Sequence, residues 1–438
     1  MRISVVGLGY VGAVCSAAFA HEGHDVIGVD IDKTKVEIIN SGKAPIVEKD
    51  LDILIEKGVK SGKLRATTDL KEAIQNSDIT FIAVGTPSKE NGNIDLTYIK
   101  EAAKSIGEVL KDKDSFHAVV MRSTVLPGTG KGVVIPLVEE FSGKKVGVDF
   151  GYASNPEFLR ESTAIWDFYH PPKTVIGASD EKTSSVLEEL YSFIDQNESP
   201  LFKTEIQVAE MVKYADNSWH AVKVTFGNEI GMICSRLKID SHKVMDIFCS
   251  DTKLNISRYY LTPGFAFGGS CLPKDVKALT YKAKEIDEKT PLLNSLMDSN
   301  EYQIKRVFNS FIKPLRKKKV GVLGISFKAG TDDLRESPVL ELTEMLIGKG
   351  YYVKIYDDNV IKAREEGAAK EFLETELHHI NDRLRDNLQE VIDSSDVLII
   401  GNGSKKFKGL YEKYPEKIFI DVAAIEDKIS DKNYFRIV

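Results

Sequence analysis

The chain of 438 residues has only four cysteines, Cys15, Cys234, Cys249 and Cys271, and their spacing forms no metal-type cluster. No metal is therefore expected, and the default reading of each thiol is a small buried hydrophobe in a reducing compartment. Cys15 and Cys234 suit that reading because they fall in apolar helical surroundings; Cys271 needs separate treatment. No apolar run reaches the roughly 18 residues that a membrane span needs, so no membrane partner is expected. Nor is a secretory leader legible ahead of the first strand, which leads us to expect a cytoplasmic protein. An excess of positive charge is also missing. The net charge of −7 argues against a nucleic-acid partner, although a few local Lys and Arg residues still suffice to hold a pyrophosphate. With 42% apolar and 29% charged residues the chain is ordinary globular protein, long enough for two or three cores.

What is present is a repeated grammar. Buried-strand patterns fall at residues 2–6, 25–29, 79–84 and 118–121, with helical stretches between them, which predicts a doubly wound parallel sheet. The C-terminal part echoes this with a strand at residues 319–325. There the segment ending at Asp357 parallels the one ending at Asp30, and Ser395-Asp396-Val397 parallels Ser77-Asp78-Ile79. Between the two units, residues 205–309 carry no strand pattern. Their main helix, residues 205–237, gathers Val208, Met211, Val212, Ala215, Trp219, Val222, Phe226, Ile230 and Ile233 on one side. That is more apolar surface than one small domain buries, and it predicts a dimer interface. The fold class expected is therefore α/β, with two Rossmann-like doubly wound domains joined by a central helical dimerisation domain. The boundaries expected are 1–204, 205–309 and 310–438. The basic stretch Arg316-Lys317-Lys318-Lys319 reads as the solvated start of a strand.

Three stretches carry chemistry. Gly7-x-Gly9-x-x-Gly12 follows a strand, opens a helix and is answered by Asp30 at the end of the next strand. Gly7 permits the turn, Gly9 lets backbone approach a pyrophosphate, and Gly12 lets the helix pack on the sheet, whose N-terminus supplies N–H groups. Asp30 would accept hydrogen bonds from a ribose and repel a 2′-phosphate, so the cofactor expected is NAD; Lys33 and Lys35 soften that preference. Gly85-Thr86-Pro87 and Ser123-Thr124 follow strands, where ligands sit in open sheets, though plain turns use the same residues. The second stretch is Gly264-Phe265-Ala266-Phe267-Gly268-Gly269-Ser270-Cys271-Leu272-Pro273-Lys274-Asp275. Its glycines suggest a loop whose backbone approaches a ligand, and Pro273 starts a helix. Cys271 would then sit at a helix N-terminus beside Lys274, both of which favour the nucleophilic thiolate over an inert thiol. The third is a polar stripe, Lys213, Asn217, His220 and Asn228, opposite the apolar side of the long helix. Such a face is usually solvated, but Asn and His in place of Lys and Glu suit a cleft better.

At these residues the chain resembles the UDP-glucose and GDP-mannose dehydrogenases, and within them the GDP-mannose branch that serves alginate-type polysaccharide synthesis. The matching stretches are VVGLGYVGAVC, VGTPSKENGNIDL, RSTVLPGT, NPEFLREST, AEMVKYADNSWHAVKVTFGNEIG, RYYLTPGFAFGGSCLPKDVKALTY and GISFKAGTDDLRESPVLELTEMLIGKGY, from residue 1 to about 403. The resemblance implies that Tyr10, Val11, Asp30, Lys35, Thr86, Thr124, Lys274 and Arg335 contact the cofactor. It implies that Glu161, Lys213, Asn217, His220, Asn228, Tyr259, Tyr260, Phe265, Gly268 and Lys328 contact a nucleotide sugar, held partly by the C-terminal Rossmann-like domain. Cys271 matches the nucleophile. One position departs: members carry a basic residue before Pro263, where this chain has Thr262. The implied reaction is a four-electron oxidation of the sugar C6 alcohol to the carboxylate, GDP-mannose to GDP-mannuronate, through a thiohemiacetal and a thioester on Cys271. Oxidation of UDP-glucose or of another nucleotide sugar is the alternative. Lys213 and Asn217 would stabilise the oxyanion, Asp275 and Thr124 would hold a water, and Glu157 would activate the hydrolytic water. The resemblance also implies a homodimer or higher homo-oligomer with shared active sites.

Overall fold

Strand β1 (Arg2–Val6) buries every residue after its first, and its neighbours β2 (Asp25–Val29) and β4 (Ile79–Ile82) are buried in the same way. Apolar runs without alternation are what a parallel sheet covered by helices on both faces requires. The computed structural model describes residues 1–438 apart from 92, 161, 258–260, 262–263, 270–271, 332, 364–372, 374, 376, 427–430 and 438. The expectations for Glu161, Tyr259, Tyr260, Thr262 and Cys271 lie outside the described residues.

The chain forms two compact units, Met1–Ala221 and Val222–Val438, which divide within the long helix Ile206–Arg236. In the first unit β3 (Leu64–Thr67), β5 (His117–Met121), β6 (Phe150–Ser154), β7 (Thr174–Ala178) and β8 (Leu201–Thr204) complete an eight-stranded sheet. Its order is β3-β2-β1-β4-β5-β6-β7-β8. The winding reverses between β1 and β4, which opens a crevice at their C-terminal ends. The sheet is not wholly parallel, as the sequence led us to expect: β6 and β7 run antiparallel, meeting only through Ala153–Ala178 and Ser154–Gly177. So short a contact leaves no periodicity for a sequence to display. Inside the sheet, Thr80 Oγ1 lies 2.7 Å from both Ser4 Oγ and His117 Nε2. Burial pushes the His117 pKa down to about 3, so the imidazole is neutral at physiological pH.

In the second unit the helices Ser241–Cys249, Leu272–Glu285 and Pro291–Val307 precede a parallel sheet. Its strands are β9 (Lys319–Leu323), β10 (Tyr352–Tyr356), β11 (Val397–Ile400), β12 (Ile418–Asp421) and β13 (Tyr434–Arg436), in the order β10-β9-β11-β12-β13. The basic residues 316–319 are exposed, with Lys318 Nζ 3.8 Å above the Tyr351 ring. Cys15 and Cys234 are buried, but Cys249 is exposed. It ends a helix in which no residue is buried, so that thiol is not the core hydrophobe the sequence suggested.

The long helix departs from its expected pattern. At its C-terminal end Ile233 is buried and Phe226 and Ile230 pack with Ala283 and Leu293. Further back the apolar side is open: Val208 is 47% exposed and Met211 54%, while Lys213 on the polar stripe is 8% exposed. In the first unit, where Lys213 sits, the polar stripe is thus the better covered side.

Candidate active site

The turn after β1 is shaped by close approach. Gly7 has φ +95°, and a Cβ there would lie 2.7 Å from the Ala83 carbonyl oxygen. A Cβ on Gly12 would stand 1.8 Å from the Gly7 oxygen, so only glycine lets the helix Tyr10–His21 start so near the sheet. Around Gly9, by contrast, a Cβ would meet nothing within 4 Å. Gly9, at the N-cap of this helix, makes no side-chain cap hydrogen bond, having no side chain to offer. This open, uncapped turn fits a pyrophosphate. Asp30 is buried and accepts from Leu8 N at 2.8 Å, Asp32 N at 3.0 Å and Lys35 Nζ at 3.3 Å. A pocket of about 660 Å³ opens onto Gly7, Gly9, Asp30, Lys35 and Gly85. Beside it Thr86 Oγ1 donates to the Thr124 carbonyl at 3.1 Å, and Ser123 Oγ to the Val84 carbonyl at 2.6 Å, tying two strand ends together. The residues present therefore fit a dinucleotide with a free ribose.

A second pocket in the same unit, of about 480 Å³, brings together Lys213, Asn217 and His220 from successive turns of the long helix. Trp219, expected on the apolar side, lines it too. Lys213 Nζ is 3.0 Å from Glu157 Oε1, with their side chains 10% and 12% exposed. The other Glu157 oxygen accepts from Leu159 N at 2.6 Å, which fixes the carboxylate. Lys173 pairs with Asp216 at 2.6 Å and Arg160 with Asp167 at 2.7 Å. Burial pushes the Asp167 carboxyl up, but hydrogen bonds from Arg160 and Thr163 outweigh it and hold the pKa below the usual carboxylate range.

The remaining expected site residues belong to the second unit. Asn228 is exposed, Phe265 is half-buried against the core of the second sheet, and Lys328 is exposed. Lys274 and Asp275 pair with each other at 3.4 Å, both well exposed, and Arg335 pairs with Asp333 at 2.9 Å. Thr124 lies in the first unit and Asp275 in the second. The glycine loop is held by side chains that the sequence did not announce: Asn300 bonds both the N–H and the carbonyl of Phe267, and Gln303 donates to the Gly264 carbonyl at 2.7 Å. Gly268 and Gly269 serve packing as much as any ligand. A Cβ on Gly268 would lie 2.2 Å from the Glu336 carbonyl oxygen, and one on Gly269, at φ +88°, 2.8 Å from the Phe327 ring. Asp357, the counterpart of Asp30, is buried and accepts from Ile325 N, Ser326 N and Ser326 Oγ of its own turn. The next regular helix begins only at Pro338, so the second Rossmann turn offers no immediate helix N-terminus to a phosphate.

Sequence reasoning also passed over Arg122 and Glu48. Arg122, directly after β5, is buried, and its Nη1 donates to Asn155 Oδ1 at 2.7 Å and to the Asn155 and Pro156 carbonyls at 3.2 Å. Burial opposes its charge, yet the nearby Tyr191, Cys15 and Glu157 outweigh that, and its pKa is raised. A charged residue at the end of a fully apolar strand was the available signal. Glu48 left none, since its partners Tyr10, Ser162 and Ala164 are 38, 114 and 116 positions away.

An open glycine turn with an answering aspartate, in the crevice of a doubly wound sheet, and beside it a pocket holding a buried lysine: these define a dinucleotide-dependent dehydrogenase. The chain belongs to the UDP-glucose/GDP-mannose dehydrogenase family. It matches that family's NAD binding domain over residues 1–195, its central domain over 207–302 and its UDP binding domain over 321–428. It is 55% identical to the GDP-mannose 6-dehydrogenase of Pseudomonas aeruginosa over 415 residues, covering 95% of this chain and 94% of the relative. It is 36% identical to a UDP-glucose 6-dehydrogenase of Haloferax volcanii over 445 residues, covering 100% of both. Among solved structures, a ternary complex of the GDP-mannose dehydrogenase from P. aeruginosa matches with a TM-score of 0.96 and 53% identity, covering 99% of both chains.

Proposed function

We infer that the chain is an NAD-dependent GDP-mannose 6-dehydrogenase that oxidises the C6 alcohol to the carboxylate. The observation that carries the substrate is the contrast in similarity: 55% identity to a GDP-mannose enzyme against 36% to a UDP-glucose enzyme. NAD held at the Gly7–Gly12 turn would supply the hydride acceptor, one NAD for each of the two oxidations. The chain's own residues do the rest. Lys213 and Asn217 face the C6 oxygen and stabilise the charge it gains when its proton leaves. His220 and Glu161 position the sugar, and Tyr259, Tyr260, Phe265, Gly268 and Lys328 hold the nucleotide. The Cys271 thiolate adds to the aldehyde carbon, giving a thiohemiacetal whose C–H is again a hydride donor. Loss of that hydride leaves a thioester, which a water activated by Glu157 cleaves to the carboxylate and the free thiol. On this reading residues 1–204 hold the cofactor, 205–309 supply the dimer contact and the catalytic residues, and 310–438 hold the nucleotide sugar. NADH release with a panel of nucleotide sugars tests this reading. GDP-mannose is expected to give a specificity constant at least about tenfold above that for UDP-glucose, a gap of roughly 1.4 kcal/mol. Equal or better use of UDP-glucose overturns the assignment.

The working unit is a homodimer whose subunits share active sites. In support, the apolar side of the long helix leaves Val208, Met211 and Val222 47%, 54% and 39% exposed, and apolar side chains open on one helix face suit a protein partner. Light scattering at micromolar concentration is expected to give at least twice the chain mass, and Met211→Asp to shift it toward the monomer. A fully active wild-type monomer overturns this reading.

A further inference from the structure

The geometry points to Glu48 as a positioning residue that couples the cofactor turn to the segment carrying Glu161. This rests on the functional reading above, in which Tyr10 belongs to the cofactor turn and Glu161 to the sugar site. Glu48 sits in the connection ahead of the helix Leu51–Lys60 and is only 7% exposed. A carboxylate so buried must be satisfied by its surroundings. Its Oε2 accepts the Tyr10 hydroxyl and, at 2.8 Å, the backbone N–H of Ser162; its Oε1 accepts the N–H of Ala164 at 3.2 Å. The Tyr10 hydroxyl also reaches the Arg160 carbonyl at 3.3 Å. One carboxylate thus joins the first residue of the cofactor helix to the backbone on the far side of position 161, and the same tyrosine touches the backbone on its near side.

The segment it holds does not rest in that shape unaided. Ser162 has φ +70°, a left-handed conformation that a non-glycine residue rarely adopts and that persists where contacts impose it. Those contacts come from two acids. Asp167 ties the segment from one side, accepting from Arg160 N at 2.9 Å and Thr163 Oγ1 at 2.9 Å. Glu48 ties it from the other, and only Glu48 also contacts the cofactor turn. Asp167 is therefore a local brace, whereas Glu48 is the link through which the Tyr10 ring and the 160–164 segment adopt one arrangement together.

The test separates the Tyr10 hydroxyl from the rest of Tyr10. Its backbone N–H is the part suited to a pyrophosphate, and Tyr10→Phe leaves that and the ring in place. Tyr10→Phe and Glu48→Gln are each expected to raise the KM for GDP-mannose five- to tenfold, more than they raise the KM for NAD. The double variant is expected to be no worse than Glu48→Gln alone, because both substitutions break one link. Amide exchange at Ser162 and Ala164 reads the same link without turnover, and it is expected to speed up at least severalfold in Tyr10→Phe. A sugar KM within twofold of wild type in Tyr10→Phe, losses that add in the double variant, or unchanged exchange at Ser162 overturns the proposal. Wild-type protein that turns over no nucleotide sugar overturns the functional reading instead, and the exchange measurement still decides the link.

Discussion

Lys213→Met is expected to lower turnover by about a thousandfold while leaving NAD affinity nearly unchanged. Removing one preorganised charge donor from a developing oxyanion costs on the order of 10²- to 10³-fold. Lys213 is expected at the top of that range because it is the buried cation of its pocket and its ammonium is held 3.0 Å from Glu157. The same substitution strands Glu157. Breaking a buried pair by deleting one partner costs roughly 3–5 kcal/mol, so a lower melting temperature should accompany the lost activity. Adding Glu157→Gln removes the stranded charge and should restore melting without restoring turnover. Pre-steady-state NADH formation and thermal melts, measured on both variants, check this. Turnover within tenfold of wild type in Lys213→Met would remove Lys213 from the chemistry.

The second large effect belongs to Cys271. Wild-type enzyme is expected to form two NADH and one uronate per sugar consumed. Cys271→Ala should lose uronate formation by roughly three orders of magnitude or more, the scale seen when a covalent nucleophile is deleted. NADH binding should persist, because the glycine turn, Asp30 and Lys35 form their own site in the first unit. Coupled product analysis decides it. A wild-type yield of one NADH with free aldehyde sinks the four-electron scheme, and near-normal uronate from Cys271→Ala removes that thiol as nucleophile.

How much of this was readable without coordinates depends on the range over which each residue acts. Gly7, Gly12 and Asp30 were legible because their constraints are local: a turn, a helix start and the end of the neighbouring strand. Strands β1, β2, β4 and β5 announced themselves by burial on both faces, while β8, mostly unburied and carrying Lys203, did not. The stripe Lys213, Asn217, His220 was visible as a period of the long helix. Its environment was not, because what covers Lys213 is residue 157, and Trp219 entered the pocket from the side the helical wheel gave to the core. Asn228 was read with that stripe but falls in the other unit. Glu48, Arg122 and Asn300 were passed over for one reason. Each holds a backbone segment, so its importance lies in carbonyl and amide groups that every sequence contains.

Under the proposed function, the Lys213 pocket has a consequence for traffic through it. Among the described residues each of its charges is already answered: Lys213 by Glu157, Lys173 by Asp216 and Arg160 by Asp167. A hexose arrives there without charge and meets a wall with none to spare. It leaves as an anion, and that anion can draw on Lys213 only in competition with Glu157, which already holds the ammonium at 3.0 Å. The pocket is thereby matched to the reactant and indifferent to the product. That asymmetry favours clearance of the uronate once the thioester is cut, with no moving part required.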